Sequence, residues 1–169
     1  MNRLINLLIE NRETILERWF HLILETYPSD TSALLRETKN QFQNPVGYTL
    51  AKETEAIFEE LLQDMDAERL STSLQNVIKI RSVQDFNACE AIGFIFLLKK
   101  AIQGMLGKEI KKEQILEEWL DFYSKIDEVA LRAFDIYMDC REKICEIRIN
   151  QARAEKEMAF RMIERMTKK

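Results

Sequence analysis

His21 is the only histidine in the chain, and it follows Glu17 by four residues. A di-iron helical bundle needs two Glu-x-x-His pairs, one on each of two helices, so this inventory excludes that centre. Haem ligation by a histidine on the first helix is a poor arrangement, and no cofactor or metal is expected. Cys89, Cys140 and Cys145 are odd in number and match no metal-ligand spacing. They read as free thiols of a reducing compartment, with Cys89 and Cys140 counted as small apolar side chains. Phosphate-cradling loops, a Gly-x-Ser-x-Gly elbow and a Cys-x-x-Cys pair do not occur. Gly104 and Gly107 before Lys108 outline a nucleic-acid-clamping loop, but the strands of such a domain are missing, and Gly107 reads better as a helix C-cap. Glu59-Glu60 and Glu117-Glu118 look like solvated helix faces, so no enzyme is expected. The polar residues with the best claim to a site are Arg81, Gln84 and Asp85, bracketed by Ile80, Val83 and Phe86. They can serve structure, Arg81 bonding the carbonyls that end one helix and Asp85 capping the next. They can instead rim a small-molecule pocket or docking surface. The structural reading is preferred; Asn44 and Gly47, at the sharpest turn of the chain, join them as ligand or docking candidates.

Helices must carry these groups. Over residues 3–26, Leu4, Leu8, Ile15, Trp19, Leu22 and Ile23 share one broad face, and the charged residues fall largely elsewhere. Pro28 stops that helix at or before Tyr27, because a residue preceding proline is pushed out of helical geometry. Ser29 or Asp30 then caps a short helix to about Thr38 that buries Leu34 and Leu35. In the stretch from Gln41 to Gly47, Asn44 supplies an acceptor for an orphan helix N–H and Pro45 sits where none is needed. Phe42 is placed to cover that helix entry. Apolar residues at three- and four-residue steps predict helices over about 45–65 and 67–81. Asn87 and Glu90 have capping-box spacing and open a helix to about Leu106. Its first half is apolar nearly all round, which places it at the centre of a bundle. Gly93 inside it costs about 1 kcal/mol against alanine and is expected to mark a close helix crossing.

With 169 residues, 46% hydrophobic and 32% charged, the chain has material for one core and an appended element. Four glycines and two prolines cannot punctuate a protein of many short strands. An all-α fold remains. The longest apolar run, Ala91 to Leu98, is too short to cross a membrane, and the N-terminus lacks a signal-peptide pattern. A cytoplasmic protein is expected.

From Lys112 onward there is neither proline nor glycine. Ile115, Trp119, Phe122, Ile126, Val129, Ala133, Ile136 and Tyr137 form a core-facing stripe. It narrows to Cys140, Ile144, Ile147, Ala154 and Met158, with Gln151 at the intervening step. Steps of four and three are those of a coiled-coil seam. Unbroken, such a helix reaches roughly 80 Å, so it either breaks or projects. Domains are expected at 1–138 and 139–169, with Ile136 and the seam residues as dimer or linker positions. Between Asp139 and Lys169, nine basic residues against six acidic ones are too interleaved for nucleic-acid binding.

Three stretches resemble a known family: a Trp-containing first helix ending in Tyr27-Pro28, the turn Phe42-x-Asn44-Pro45-Val46-Gly47, and Ile80-Arg81-x-Val83-Gln84-Asp85-Phe86 followed by Ala91-x-Gly93-Phe94 and Leu98-Lys99. In that order they resemble the N-terminal domain of RsbRD-type RsbT co-antagonist proteins, over roughly residues 4–140. Where family members tend to start the next helix with serines, this chain has Asn87-Ala88-Cys89. The resemblance implies a dimeric, globin-like helical bundle without haem that serves as an input domain in stressosome-type signalling. Relatives continue through a linker helix into a STAS domain, which is absent between residues 1 and 169, so the phosphorylation sites of that domain are absent as well. A homodimer is implied, with STAS-domain proteins or a switch kinase as partners. The alternative is an adaptor on a redox complex of sulfur respiration, with which some stand-alone relatives are associated.

Overall fold

A computed structural model describes residues 3–36, 41–84, 86–111 and 113–167. Seven helices and no strand occur among them: α1 Arg3–Glu10, α2 Arg12–Leu24, α3 Ser29–Leu35, α4 Pro45–Leu62, α5 Ala67–Val83, α6 Ala88–Ile110 and α7 Glu113–Thr167. The fold is all-α. The chain divides into two compact units, Met1–Tyr137 and Met138–Lys169, and α7 supplies residues to each.

In the first unit, α6 packs against α2 and α5, α4 pairs with both α5 and α2, and α3 lies on α4. Leu8, Ile15, Trp19, Ile57, Phe58, Leu74, Phe94, Ile95, Leu98 and Ile126 are wholly buried. Each such large apolar side chain contributes roughly 1.5–3 kcal/mol when removed from water. Trp19 joins α2 to α6 in two ways. Its ring stacks on Phe94 with centroids 6.3 Å apart, and its indole N–H donates to the Phe94 carbonyl at 2.7 Å.

Local chemistry sets most of the helix starts. Asn44 caps α4, its Oδ1 accepting from the Gly47 amide at 2.8 Å, while Pro45 occupies the first turn. Asn87 and Glu90 form the reciprocal capping box at the head of α6. Asp66 caps α5 by accepting from the Glu68 and Arg69 amides.

Elsewhere the expected pattern shifts. The first helix is two, parted at Asn11, whose side-chain amide donates back to the Leu7 carbonyl. Leu34 and Leu35 are neighbours on α3 and so cannot both face the core: Leu35 is buried and Leu34 is 74% exposed. Phe42 does not cover the entry to α4; it is 97% exposed. Gly107 does not end α6, which runs on to Ile110 because Leu106 and Ile110 still have core to bury. α7 does not break. Two acidic pairs expected on solvated faces contribute specific partners instead. Glu118 accepts from the Arg3 and Leu4 amides at the orphan start of α1, and Glu60 accepts from the Asp66 amide. Glu59 and Glu55 both pair with Arg12, tying α4 to α2 and raising the Arg12 pKa, chiefly through these hydrogen bonds.

Candidate functional site

The most unusual local environment in the first unit surrounds Arg81. Leu70, Leu74, Val77 and Ile78 form the buried stripe of α5, and Arg81 falls on its next step, at 0% exposure. Its Nη2 donates to the Thr26 hydroxyl and to the Glu90 carbonyl, each at 3.0 Å. Aromatic rings supply the rest of its surroundings. The guanidinium carbon lies 4.2 Å from the Phe86 ring centroid, 5.0 Å from that of Tyr27 and 5.9 Å from that of Phe94. Tyr27 and Phe86 meet edge to face at 5.1 Å. Arg81 is therefore enclosed by the residues following α2, the last turn of α5 and the first turns of α6.

The charge balance there is incomplete. Among the described residues Arg81 has no carboxylate within ion-pair distance, and its Nε and Nη1 have no hydrogen-bond partner. Tyr27 Oη is also buried without a partner. Desolvation lowers the Arg81 pKa, opposed by Tyr27 and by Glu90, whose carboxylate is engaged in the α6 capping box. Burial raises the Tyr27 pKa, and both the charge of Arg81 and its interaction with the phenol oxygen act against that rise. On the outer side, the Phe86 carbonyl accepts from the Tyr137 hydroxyl at 3.0 Å. Tyr137 is the last residue of the first unit.

The remaining candidates are spread over several places. Asn44 and Gly47 belong to the junction of α3 and α4, where Asn44 Nδ2 donates to the Leu34 carbonyl. A side chain at Gly47 would stand 2.5 Å from the Leu35 carbonyl oxygen, so glycine there is a packing requirement. Gln84 is exposed at the C-cap of α5, and Asp85 lies outside the described residues. Asn87 caps α6, and Arg81 reaches the Glu90 carbonyl rather than those ending its own helix. Ile136, Cys140 and Ile144 are half-buried, whereas Ile147, Ala154 and Met158 are exposed. Thr26, Tyr27, Phe86, Phe94 and Tyr137 were not singled out as site residues in the sequence. The available signal was Arg81 itself, a cation continuing an apolar stripe.

A second feature is an apolar groove of about 550 Å³ between α6 and α7, floored by Gly93 and flanked by Phe96, Leu131 and Phe134. Apart from its own helix backbone and chain neighbours, no atom of the described residues lies within 4 Å of where a Cβ on Gly93 would stand, so Gly93 marks no helix crossing among them. Cys89 is exposed at the same groove rather than buried as an apolar residue. Asp127 also lines the groove and pairs with Lys99 at 2.6 Å, whose ammonium lies 3.2 Å from the Tyr123 ring centroid. His21 Nδ1 lies 3.3 Å from the Glu25 carboxylate, and no group of three or more metal-ligating side chains gathers among the described residues. No described helix is long and apolar enough to cross a membrane.

A curated protein of Archaeoglobus fulgidus, named only as uncharacterized, is 42% identical over 48 residues, which cover 28% of this chain and 32% of that protein. The chain thus matches about a third of that relative's length. No solved structure matches. A family model described as the RsbT co-antagonist protein rsbRD N-terminal domain matches residues 13–152, a span holding the Trp19 helix, the Asn44 turn, the Arg81 junction and the first part of the seam, and the chain belongs to that family.

Proposed function

We propose that the protein is a non-enzymatic, cytoplasmic sensor and interaction domain of stressosome-type signalling, a globin-like bundle that dimerises and relays its state through α7. The observation that carries this reading is the continuity of α7. One helix bears the core stripe from Ile115 to Tyr137 and then the seam Cys140, Ile144, Ile147, Ala154 and Met158. Exposed apolar residues at four- and three-residue steps are the pattern that a second helix covers. An input that biases two packings of the first unit would change the register or splay of that helix pair, and a STAS-domain protein or switch kinase would read the change. Membership of the family supports the signalling context.

Deleting residues 141–169 and measuring mass in solution tests the reading. The full chain is expected to be a dimer and the truncated chain a monomer. A truncated chain that stays dimeric would remove the seam from the assembly.

A further inference from the structure

We propose that Arg81 and Tyr27 form the binding site for one small anion, a carboxylate or an inorganic oxyanion, and that this anion is the input of the first unit. The site is distinct from the helix seam, and its role as input rests on the sensor reading above.

Three donor groups make the argument. Among the described residues, Arg81 Nε, Arg81 Nη1 and Tyr27 Oη reach no partner at ordinary hydrogen-bond geometry, their one interaction being that of the phenol and the guanidinium with each other, whereas folded proteins leave very few buried polar groups unpaired. The protonated guanidinium is acceptor-free; the Tyr27 oxygen can accept from it, and the phenol proton and the remaining N–H groups then still call for an acceptor. Neutral acceptors satisfy hydrogen bonds but leave the charge. A buried guanidinium without an anion is far more costly than one that has an anion, because desolvation is not repaid by attraction. Three aromatic rings offset part of that cost, and two hydrogen bonds on Nη2 offset more. Those two bonds also occupy one position on each fork of the guanidinium. Each fork is thereby left with one N–H, from Nε or from Nη1, which favours a compact anion over a bulky one that demands a full bidentate fork.

The surroundings give such an anion a consequence. Phe86 covers the guanidinium on one side and, through its carbonyl, holds the Tyr137 hydroxyl on α7. An anion seated beside Arg81 competes with the ring contacts that position Phe86, and a displaced Phe86 carbonyl releases or re-aims Tyr137. The route from Arg81 to α7 is thus two contacts long.

Calorimetric melting of the full chain in acetate, phosphate or sulfate, against chloride at equal ionic strength, tests the proposal. At a hundredfold excess over Kd, a bound anion is expected to raise Tm by about 5–10 °C. A response to acetate alone identifies organic carboxylates as the source, and a response to phosphate or sulfate alone identifies free oxyanions. Tyr27→Phe keeps the ring and is expected to weaken binding about tenfold or more, while Arg81→Met abolishes it. No anion-specific shift in the parent chain overturns the proposal, as does a shift that survives intact in Tyr27→Phe. The mass of the same samples separates the two readings. Anion binding by a monomer leaves the site and removes the dimeric sensor; a dimer indifferent to anions does the reverse.

Discussion

Two glycines in this chain answer to opposite physics. At Gly47 a methyl group would meet Asn44 Nδ2 at 2.3 Å and the Leu35 carbonyl oxygen at 2.5 Å. The first atom belongs to the residue that caps α4, and the second is backbone, so neither yields cheaply. Gly47→Ala is expected to cost about 2 kcal/mol, combining a damaged cap with overpacking. At Gly93 nothing stands in the way, and the residue is simply a poor helix former in the middle of α6. Gly93→Ala is expected to raise stability by about 1 kcal/mol. Urea denaturation of both variants checks the pair, with midpoints moving in opposite directions at unchanged slope. A loss of stability in Gly93→Ala would mean that its open face is covered in solution.

At the scale of the helix, the start of α5 offers a pH-dependent test. The Asp66 carboxylate accepts from the Arg69 amide, and also from that of Glu68, which holds its pKa below the ordinary carboxylate range. The folded value therefore lies under the unfolded one. Its contribution is complete above the unfolded pKa, near 4, and is lost as pH falls through the folded value. Asp66→Asn retains a capping acceptor that does not titrate. The parent chain is expected to lose stability below about pH 4 more steeply than this variant, as read from denaturation midpoints between pH 7 and pH 2. Parallel curves would mean that the cap does not sense protonation. The same helices show what sequence can reveal. The caps at Asn44 and Asn87 were legible because donor and acceptor are three residues apart. The break at Asn11, the extension of α6 past Gly107 and the role of Glu118 were not. Glu118 meets the Leu4 amide across 114 residues, and nothing local marks that pairing. Arg81 was legible as a candidate by its place on an apolar stripe. Its enclosure was not, since Thr26 lies 55 residues away in the chain.

For the whole molecule, the proposed assembly depends on apolar residues that one chain leaves largely exposed. Past Met138 every described position of α7 is exposed except Cys140, Arg141 and Ile144, which are half-buried. Taking Cys140 as position d of a heptad, Ile144 and Gln151 fall at a, Ile147 and Ala154 at d, and Met158 again at a. Gln151 is informative because a polar residue at one a position favours the register that pairs it with itself, at some cost in stability. In a parallel pair, equivalent d positions face each other, so Cys140 meets the partner's copy of the same residue. Cys145 falls at b, on the outer face, and no equivalent approach is open to it. Cysteine geometry therefore discriminates, since a disulfide needs Cα atoms within about 7 Å. Three variants keeping one cysteine each, with the other two changed to serine, are oxidised mildly and run on a non-reducing gel. The chain retaining Cys140 is expected to become a covalent dimer, while those retaining Cys89 or Cys145 stay monomeric under denaturing conditions. Linkage through Cys145 with none through Cys140 would overturn the parallel seam. Adding the anion that raises Tm then reads the relay directly. A changed rate of Cys140 linkage in the parent sequence, absent in Tyr27→Phe, would connect the Arg81 junction to the seam.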